Sequence, residues 1–317
     1  MLMDRDLDPA PLVGKCVAII GFGNQGRAQA LNLRDGEVAV RVGLRPGSPR
    51  ADAVRSAGID VMTLSEAVSG ADLVMLLAPD EHLAAIYDEV APLLSPGVTL
   101  GFSHGLAIHF GLIRPDPSLG VIMVAPKGPG SALRSLFEAG SGMLALAAVA
   151  QDPRGDCWPL ALAYARALGC GRAGVIRSTF EEECVADLFN EQAVVWGAVP
   201  AILEAGFDTL VAAGVNPQVA YLECVSELRL LADLVEARGI AATAEAISNT
   251  AELGALIGGS RIVDSEVRRR MVEILAEIRS GAFASALSEE ADLDYPRLRQ
   301  ARARVSALEV ARRSLLR

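Results

Sequence analysis

The sequence predicts an α/β domain with a parallel sheet, followed by an all-α domain. Three observations support this prediction. Short apolar runs alternate with helical stretches in the first half, a glycine-rich turn follows the first run, and the period becomes almost entirely helical from Thr179 onward. We therefore expect the boundary after Arg177, with domains over residues 1–177 and 178–317. A chain of 317 residues is long enough for two domains and a substantial core.

Short apolar runs in the first half have the length of single strands and the composition of a buried sheet. They cover residues 16–21, 38–44, 73–77, 98–102, 121–124, 143–148 and 173–176. Helical stretches start near Gln25 and fill residues 158–168. Because strands that alternate with helices form parallel sheets covered on both faces, we expect that layered arrangement here.

The second half opens with a helix signal. Thr179 and Glu182 match the capping box that begins a helix near residue 180. Gly206 and Gly214 are expected to break the helices that follow, and Pro217 suits the first turn of another helix. This half is therefore predicted to contain only helices.

The composition narrows the possible functions. A net charge of −10 argues against nucleic acid as a partner. The five cysteines are scattered and form no CxxC pair, which indicates reduced thiols in a reducing compartment. We expect neither a signal peptide nor an apolar run near the roughly 18 residues that span a bilayer. With a hydrophobic fraction of 51%, these features predict a cytoplasmic protein that buries apolar surface between subunits.

The glycine-rich turn is Gly21-Phe22-Gly23-Asn24-Gln25-Gly26. It follows a predicted strand and opens a predicted helix, which is the context that gives a GxGxxG pattern its meaning. Its glycines permit a tight turn and let backbone N–H groups approach a pyrophosphate at the helix N-terminus. The turn therefore predicts a Rossmann-type dinucleotide site.

The loop after the second strand decides which dinucleotide is expected. An NAD site usually has Asp or Glu there, to bind the ribose 2′-hydroxyl. This chain instead has Arg45, Ser48 and Arg50. Two arginines and a serine can hold a 2′-phosphate through charge-assisted hydrogen bonds, so we predict NADPH.

Two pairs of acidic residues lie at helical i, i+4 spacing, Asp187 with Glu191 and Glu223 with Glu227. Both segments are otherwise rich in apolar residues, and a carboxylate on an apolar face is costly to bury unless a cation neutralises it. Carboxylate oxygens suit hard cations, Mg²⁺ above all. A solvated acidic face is the alternative for either pair taken alone.

Further motifs occur in the order in which one known family carries them. They are the glycine turn, the loop over residues 44–48, Pro79-Asp80-Glu81, Ser103-His104-Gly105, Ala125-Pro126-Lys127-Gly128-Pro129-Gly130, Asp187-Leu188-Phe189-Asn190-Glu191-Gln192, Glu223-Cys224-Val225-Ser226-Glu227-Leu228 and Ile247-Ser248-Asn249. Over nearly its whole length the chain resembles ketol-acid reductoisomerase in its short bacterial form. The segments 125–130 and 187–192 are specific to that family, whereas the glycine turn is not.

That resemblance implies a function. The family converts a 2-aceto-2-hydroxy acid to a 2,3-dihydroxy acid in branched-chain amino-acid synthesis, by alkyl migration and hydride reduction with NADPH and two Mg²⁺ ions. Its C-terminal helices form a knotted domain that pairs tightly in a homodimer. Assembly of such dimers into a larger homo-oligomer is a further possibility. The expected partners are therefore the small-molecule 2-hydroxy-keto acid and a second copy of the chain.

The resemblance also implies roles for individual residues. The expected metal ligands are Asp187 and Glu191 from one subunit, and Glu223 and Glu227 from its partner. The family's active-site histidine matches His104, and its partner-supplied substrate contact matches Ser248. We expect Lys127 to orient a polar or anionic group near the metals. The family's cofactor positions match Phe22, Gly23, Asn24, Gln25, Arg45, Ser48, Arg50, Asp80, Glu81, His82, Leu83 and Gly130.

Departures from the family pattern leave the substrate open. They are Ser131 and Ser226 for histidine, Val195-Trp196 for Leu-Cys, and Glu245 and Leu253 for tyrosine. The chain is then a housekeeping enzyme with drift or a relative that acts on a different 2-hydroxy-3-keto acid in a specialised pathway. Two further alternatives are a metal-independent hydroxyacid or imine reductase and a non-catalytic NADPH-binding sensor. The carboxylate pairs argue against the first, and Lys127 and His104 argue against the second.

Overall fold

The computed structural model describes residues 1–304 and 306–315. The chain divides into two compact units, Met1–Cys184 and Val185–Arg317. The first unit is an α/β layer structure and the second is helical, as the sequence predicts. The position of the domain boundary after Arg177 stays a prediction.

One eight-stranded sheet organises the first unit, in the order β3-β2-β1-β4-β5-β6-β7-β8. The strands are β1 Cys16–Ile20, β2 Ala39–Gly43, β3 Val61–Met62, β4 Leu73–Leu76, β5 Thr99–Phe102, β6 Gly120–Pro126, β7 Ala145–Gln151 and β8 Val175–Arg177. Strand β1 lies between β2 and β4, with Val17 opposite both Val40 and Leu73. Its last four residues are fully buried, which explains their unbroken apolar character.

The prediction of a parallel sheet is correct for β1 to β6 and wrong for the last two strands. Strand β7 runs antiparallel to β6, and β8 runs parallel to β7. Helix Gly130–Glu138 lies between β6 and β7 and packs against the helix after the glycine turn. Because Pro126 pairs with Ala145, the chain re-enters the sheet at the edge where β6 ends, and its direction is reversed.

Helices cover both faces of this sheet. They are α1 Asn24–Asp35, α2 Ala51–Ser56, α3 Leu64–Val68, α4 Asp80–Val90, α5 Leu106–His109, α6 Gly130–Glu138 and α7 Cys157–Ala167, and α8 Phe180–Phe189 follows β8. One apolar cluster contains Leu33 and Tyr164 from α1 and α7. The cluster built around Phe102 contains Tyr87 from α4. The two-residue strand β3 is absent from the sequence prediction, because so short a run gives no periodic signal.

The second unit consists of helices joined by short connections. They are α9 Ala198–Ala212, α10 Pro217–Tyr221, α11 Leu228–Glu245, α12 Asn249–Ile262, α13 Ser265–Arg279, α14 Ala282–Asp292, α15 Pro296–Ala303 and α16 Ala307–Leu315. Two π-helical segments, Asn190–Val194 and Leu222–Ser226, interrupt the α-helical winding. We define them as the first and second π-turns.

The predicted helix boundaries are mostly confirmed. The N–H of Glu182 donates to the Thr179 hydroxyl at the start of α8, and Pro217 occupies the first turn of α10. Gly214 follows α9 with a left-handed φ of 90°. The predicted break at Gly206 is wrong, because this residue lies inside α9, where an added Cβ would meet only Cys224 Sγ at 3.4 Å.

The second unit buries few side chains within the described chain. Its small core contains Phe207, Ala220 and Ala311. The helical run Phe180–Ala212 is long and apolar enough to cross a membrane, with 6% of its apolar window buried. Length and composition of one run are weak evidence for a span, but they correct our expectation that no run approaches that length. Exposed apolar surface on this scale indicates a site of contact with another protein or with a membrane.

Candidate active site

The glycine turn lies at the edge where the parallel strands end, between β1 and α1. Gly21 has a φ of 101°, and a Cβ there would lie 2.9 Å from Leu77 O. A Cβ on Gly26 would lie 2.4 Å from Gly21 O. The backbone at these two positions therefore requires glycine. The turn brings the N-terminus of α1 to the sheet edge where open α/β sheets bind ligands.

Two cavities adjoin this turn and share Gly23 and Arg50. The first, of about 260 Å³, is lined by Phe22, Leu44, Arg45, Ser48, Pro79 and His82, among others. The second, of about 310 Å³, is lined by Asn24, Arg27, Gly130, Ser131 and Arg134, among others. The predicted 2′-phosphate loop and the predicted pyrophosphate turn thus border the same space. Arg27 and Arg134 are two cavity residues that were not predicted from the sequence.

The remaining predicted cofactor positions do not line these cavities. The side chain of Gln25 donates to Gly128 O at 2.9 Å, so it ties the glycine turn to the lysine loop. Leu83 is 3% exposed and belongs to the apolar core. Asp80 and Glu81 form the first turn of α4.

A chain of hydrogen bonds connects α7, α1, the end of β5 and β6 near this edge of the sheet. The Tyr164 hydroxyl donates to Gln29 Oε1 at 2.7 Å, and Gln29 Nε2 donates to Ser103 Oγ at 2.8 Å. Ser103 Oγ donates in turn to Val124 O. Burial raises the pKa of Tyr164 well above its usual value, so the phenol stays neutral and can donate. Gln29 was missed because a polar residue inside a helix gives no signal in one sequence.

His104 follows β5 and lies within the same sheet edge. Its Nδ1 is 3.6 Å from Asp80 Oδ2, and both side chains are partly buried. The carboxylate lies just beyond hydrogen-bonding distance of the imidazole and faces its Nδ1 side. The sequence named both residues, but it assigned Asp80 to the cofactor.

Lys127 and Glu183 form a charged pair whose carboxylate is buried. Lys127 Nζ lies 3.2 Å from Glu183 Oε1, and the N–H of Gly105 donates to Glu183 Oε2 at 2.7 Å. The Glu183 side chain is 1% exposed, whereas that of Lys127 is 33% exposed. One buried carboxylate therefore holds the lysine loop and the histidine loop together. Glu183 was not predicted, because the last of three consecutive glutamates does not stand out in the sequence. Its position four residues before Asp187 is the signal that could have identified it.

The predicted metal ligands accompany the two π-turns. Glu191 lies in the first and Asp187 lies in α8 just before it, while Glu223 lies in the second and Glu227 directly follows it. All four groups offer carboxylate oxygens, the donors that Mg²⁺ prefers. The donor chemistry therefore fits the predicted cation, and the assignment of individual ligands stays a prediction.

Ser248, the predicted substrate contact, is the N-cap of α12. Its hydroxyl oxygen accepts from the N–H of Ala251 at 3.2 Å. A capping serine keeps its hydroxyl hydrogen for a second partner, so this role is compatible with a substrate contact. The substrate assignment stays a prediction.

Matches to known proteins extend over almost the whole chain. Residues 11–174 match the family model described as acetohydroxy acid isomeroreductase, NADPH-binding domain. Residues 180–315 match the ketol-acid reductoisomerase C-terminal domain. The structure of an NADH-preferring ketol-acid reductoisomerase from an uncultured archaeon is similar at 38% identity and a TM-score of 0.95, over 99% of this chain and 97% of that chain.

More distant structures share the fold alone. A semialdehyde dehydrogenase NAD-binding protein from Cupriavidus necator is 19% identical over 84% of this chain and 99% of that chain, with a TM-score of 0.64. A pyrroline-5-carboxylate reductase from Coxiella burnetii is 15% identical over 85% of this chain and 98% of that chain, with a TM-score of 0.58.

Proposed function

Since the chain belongs to the ketol-acid reductoisomerase family, we propose that it performs the family reaction with NADPH as hydride donor and with two Mg²⁺ ions. The reaction moves an alkyl group to a neighbouring carbonyl carbon and reduces the ketone that results. When bound, Mg²⁺ supplies Lewis-acid polarisation of the substrate oxygens and NADPH supplies the hydride. The observation that carries the proposal is the match of both family models, together with the two carboxylate pairs at the π-turns.

We assign the cofactor to the two cavities beside the glycine turn. Arg45, Ser48 and Arg50 border the cavity beyond β2, and they would receive the 2′-phosphate of NADPH. Gly23 and Asn24 would present backbone N–H groups to the pyrophosphate. The similar archaeal enzyme prefers NADH, so a comparison of NADPH with NADH as hydride donors tests this assignment directly.

The charged residues of the first unit would organise the substrate end of the site. Glu183 fixes Lys127 through one oxygen and the backbone before α5 through the other. The lysine ammonium group is therefore held in place for a developing negative charge on the substrate. His104 and Asp80 form a second polar pair at the same edge of the sheet. We propose Lys127 and His104 as the catalytic residues.

Glu223, Glu227, Asp187 and Glu191 would hold the two cations. We expect Glu223→Gln to abolish turnover of 2-acetolactate and to leave NADPH binding nearly unchanged, because only the metal set loses a charge. The measurement is NADPH oxidation with and without Mg²⁺, beside NADPH binding by fluorescence. Glu236→Gln, an exposed glutamate on the adjacent helix α11, is the matched control and should keep its activity. Turnover by the wild-type chain without any divalent metal would contradict the mechanism.

We further propose a cytoplasmic homodimer with shared active sites. The large apolar side chains of the second unit are exposed within one chain, among them Leu230, Ile240 and Leu256. The run Phe180–Ala212 also exposes apolar side chains, such as Trp196 and Ile202, and a second copy that buries both sets would cover them without a membrane. We keep the domain boundary after Arg177 as part of this proposal.

A further inference from the structure

The two carboxylate pairs share a local structure that their sequence spacing does not reveal. In an α-helix with 3.6 residues per turn, residues i and i+4 are offset by about 40° around the axis. A π-turn holds more residues per turn, since its hydrogen bonds span five residues. In the first π-turn the N–H of Val195 donates to Asn190 O at 3.0 Å, across five residues. Where only part of the interval between two such residues is widened, as between Asp187 in α8 and Glu191 in the π-turn, their offset around the axis becomes smaller than in an α-helix.

Each pair adjoins or overlaps such a turn. Asp187 precedes the first π-turn and Glu191 lies inside it, and Glu223 lies inside the second with Glu227 immediately after it. These are the two π-helical segments among residues 1–304 and 306–315. π-turns are uncommon and occur frequently at functional sites. Their coincidence with both carboxylate pairs therefore indicates that they serve the site that these carboxylates form.

Gly197 lies where the first π-turn passes into α9. A Cβ built on this glycine would lie 1.9 Å from Gln192 O and 3.2 Å from Glu191 O. These carbonyls belong to the widened turn, which packs directly against the backbone of Gly197. Any side chain at position 197 would push the carbonyl of the residue next to Glu191 away. The turn and the glycine are therefore parts of one arrangement.

We propose that Gly197 is a positioning residue for the metal site. It permits the first π-turn, and the π-turn aligns Asp187 with Glu191 for a shared divalent cation. The inference rests on the proposed function, because it takes these two carboxylates as metal ligands. It adds a residue that touches neither metal nor substrate, and whose effect on the metal passes through the backbone.

The test measures Mg²⁺ binding itself. The NADPH-loaded enzyme is titrated with Mg²⁺ by calorimetry, without substrate, and NADPH affinity and thermal unfolding are measured on the same samples. We expect Gly197→Ala to lose about 10- to 100-fold in Mg²⁺ affinity, the range found when groups that orient metal ligands are changed. NADPH affinity should stay at the wild-type value, because the glycine turn is untouched.

Two further variants separate the π-turn from general damage to the helix. Gly206→Ala is the matched control, since its Cβ would meet only Cys224 Sγ at an ordinary 3.4 Å. Deletion of Val195, a residue that is 49% exposed, shortens the widened turn by one residue and keeps the Asp187–Glu191 spacing. The deletion restores α-helical winding, so it tests the turn even if Gly197→Ala does not fold.

Loss of Mg²⁺ affinity in the deletion variant, with Gly206→Ala unchanged, would support the inference. Wild-type Mg²⁺ affinity in either folded variant would overturn it, and so would an equal loss in Gly206→Ala. A wild-type enzyme that binds no Mg²⁺ would instead contradict the proposed function, so the two failures can be told apart.

Discussion

We expect Arg45 to determine the preference for NADPH over NADH. It borders the cavity beyond β2 with Ser48 and Arg50, and no acidic residue stands in that loop to bind a ribose hydroxyl. A hydrogen bond to a charged group contributes about 1.5–3 kcal/mol. We therefore expect Arg45→Ala to weaken NADPH by about tenfold or more and to leave NADH almost unchanged.

The measurement is the dissociation constant of each cofactor by fluorescence titration. Arg55→Ala is a suitable control, because this arginine pairs with Asp52 on the surface of α2. Equal loss of both cofactors in Arg45→Ala would mean that the loop does not bind the 2′-phosphate. A wild-type preference for NADH, as in the similar archaeal enzyme, would contradict the prediction before any mutation is made.

Trp196 is one of the residues that depart from the family pattern near the expected substrate pocket. Its side chain follows the first π-turn and is 61% exposed within the chain. The family carries a small residue here, and an indole adds bulk that packed sites do not absorb freely. We therefore predict slow turnover of the ordinary acetohydroxy acids and a higher kcat/KM in Trp196→Cys, with Val195→Ala as control. Wild-type turnover of 2-acetolactate at housekeeping rates would show that Trp196 affects packing alone.

At the scale of single elements, an acidic side chain replaces the missing cap of α15. Tyr295 precedes this helix in a left-handed conformation and forms no side-chain cap. Glu290 of α14 instead accepts hydrogen bonds from the N–H groups of Arg297 and Leu298, at 2.7 and 3.1 Å. The hydrogen bond from the Arg297 guanidinium lowers the pKa of Glu290 below its usual value near 4.5.

A lowered pKa in the folded state means that this contact stabilises α15 fully above the unfolded value, and that the stabilisation disappears as the pH falls through the folded value. We expect backbone amides of α15 to exchange faster as the pH drops below about 4.5, after correction for intrinsic exchange rates. Glu290→Gln should show fast exchange already at neutral pH. Its neighbour Glu289→Gln is the control, and equal effects of the two changes would contradict the capping role.

Elements were predictable from the sequence where burial alone decides them. The runs that became β1, β4 and β5 are apolar because both faces of the sheet are covered. The direction of β7 was not predictable, because its alanine-rich run is equally apolar in either direction and α6 determines where the chain returns. The π-turns were hidden as well, since i, i+4 spacing is the same whichever way the helix winds.

Those parts of the candidate site were predictable in which the residue type alone indicates the chemical role. Glycines in a turn and paired carboxylates do so, and the structure places them at a sheet edge and at two π-turns. Glu183 and Gln29 do not, because their importance lies in contacts with loops that are far apart in sequence. Those contacts exist only after the sheet has formed.

At the scale of the whole molecule, we predict that one chain does not hold a complete site. Asp187 and Glu223 belong to the two different carboxylate pairs, and the proposed dimer draws one pair from each subunit. Asp187→Asn and Glu223→Gln homodimers should each be inactive, since every site lacks a ligand. A hybrid of the two variants has one site with both changes and one site with neither. Mixing them should therefore restore up to about a quarter of wild-type activity, because random exchange makes half of the dimers hybrid and each hybrid has one intact site of two.

The measurement is NADPH oxidation after subunit exchange, with exchange verified by the mass of differently tagged chains. Each variant mixed with itself is the control and should stay inactive. Activity that returns in proportion to the hybrid fraction would establish sites shared between subunits. Inactive mixtures with verified hybrids would mean that each chain supplies its own four carboxylates, and the apolar helices of the second unit would then need a covering partner for packing alone.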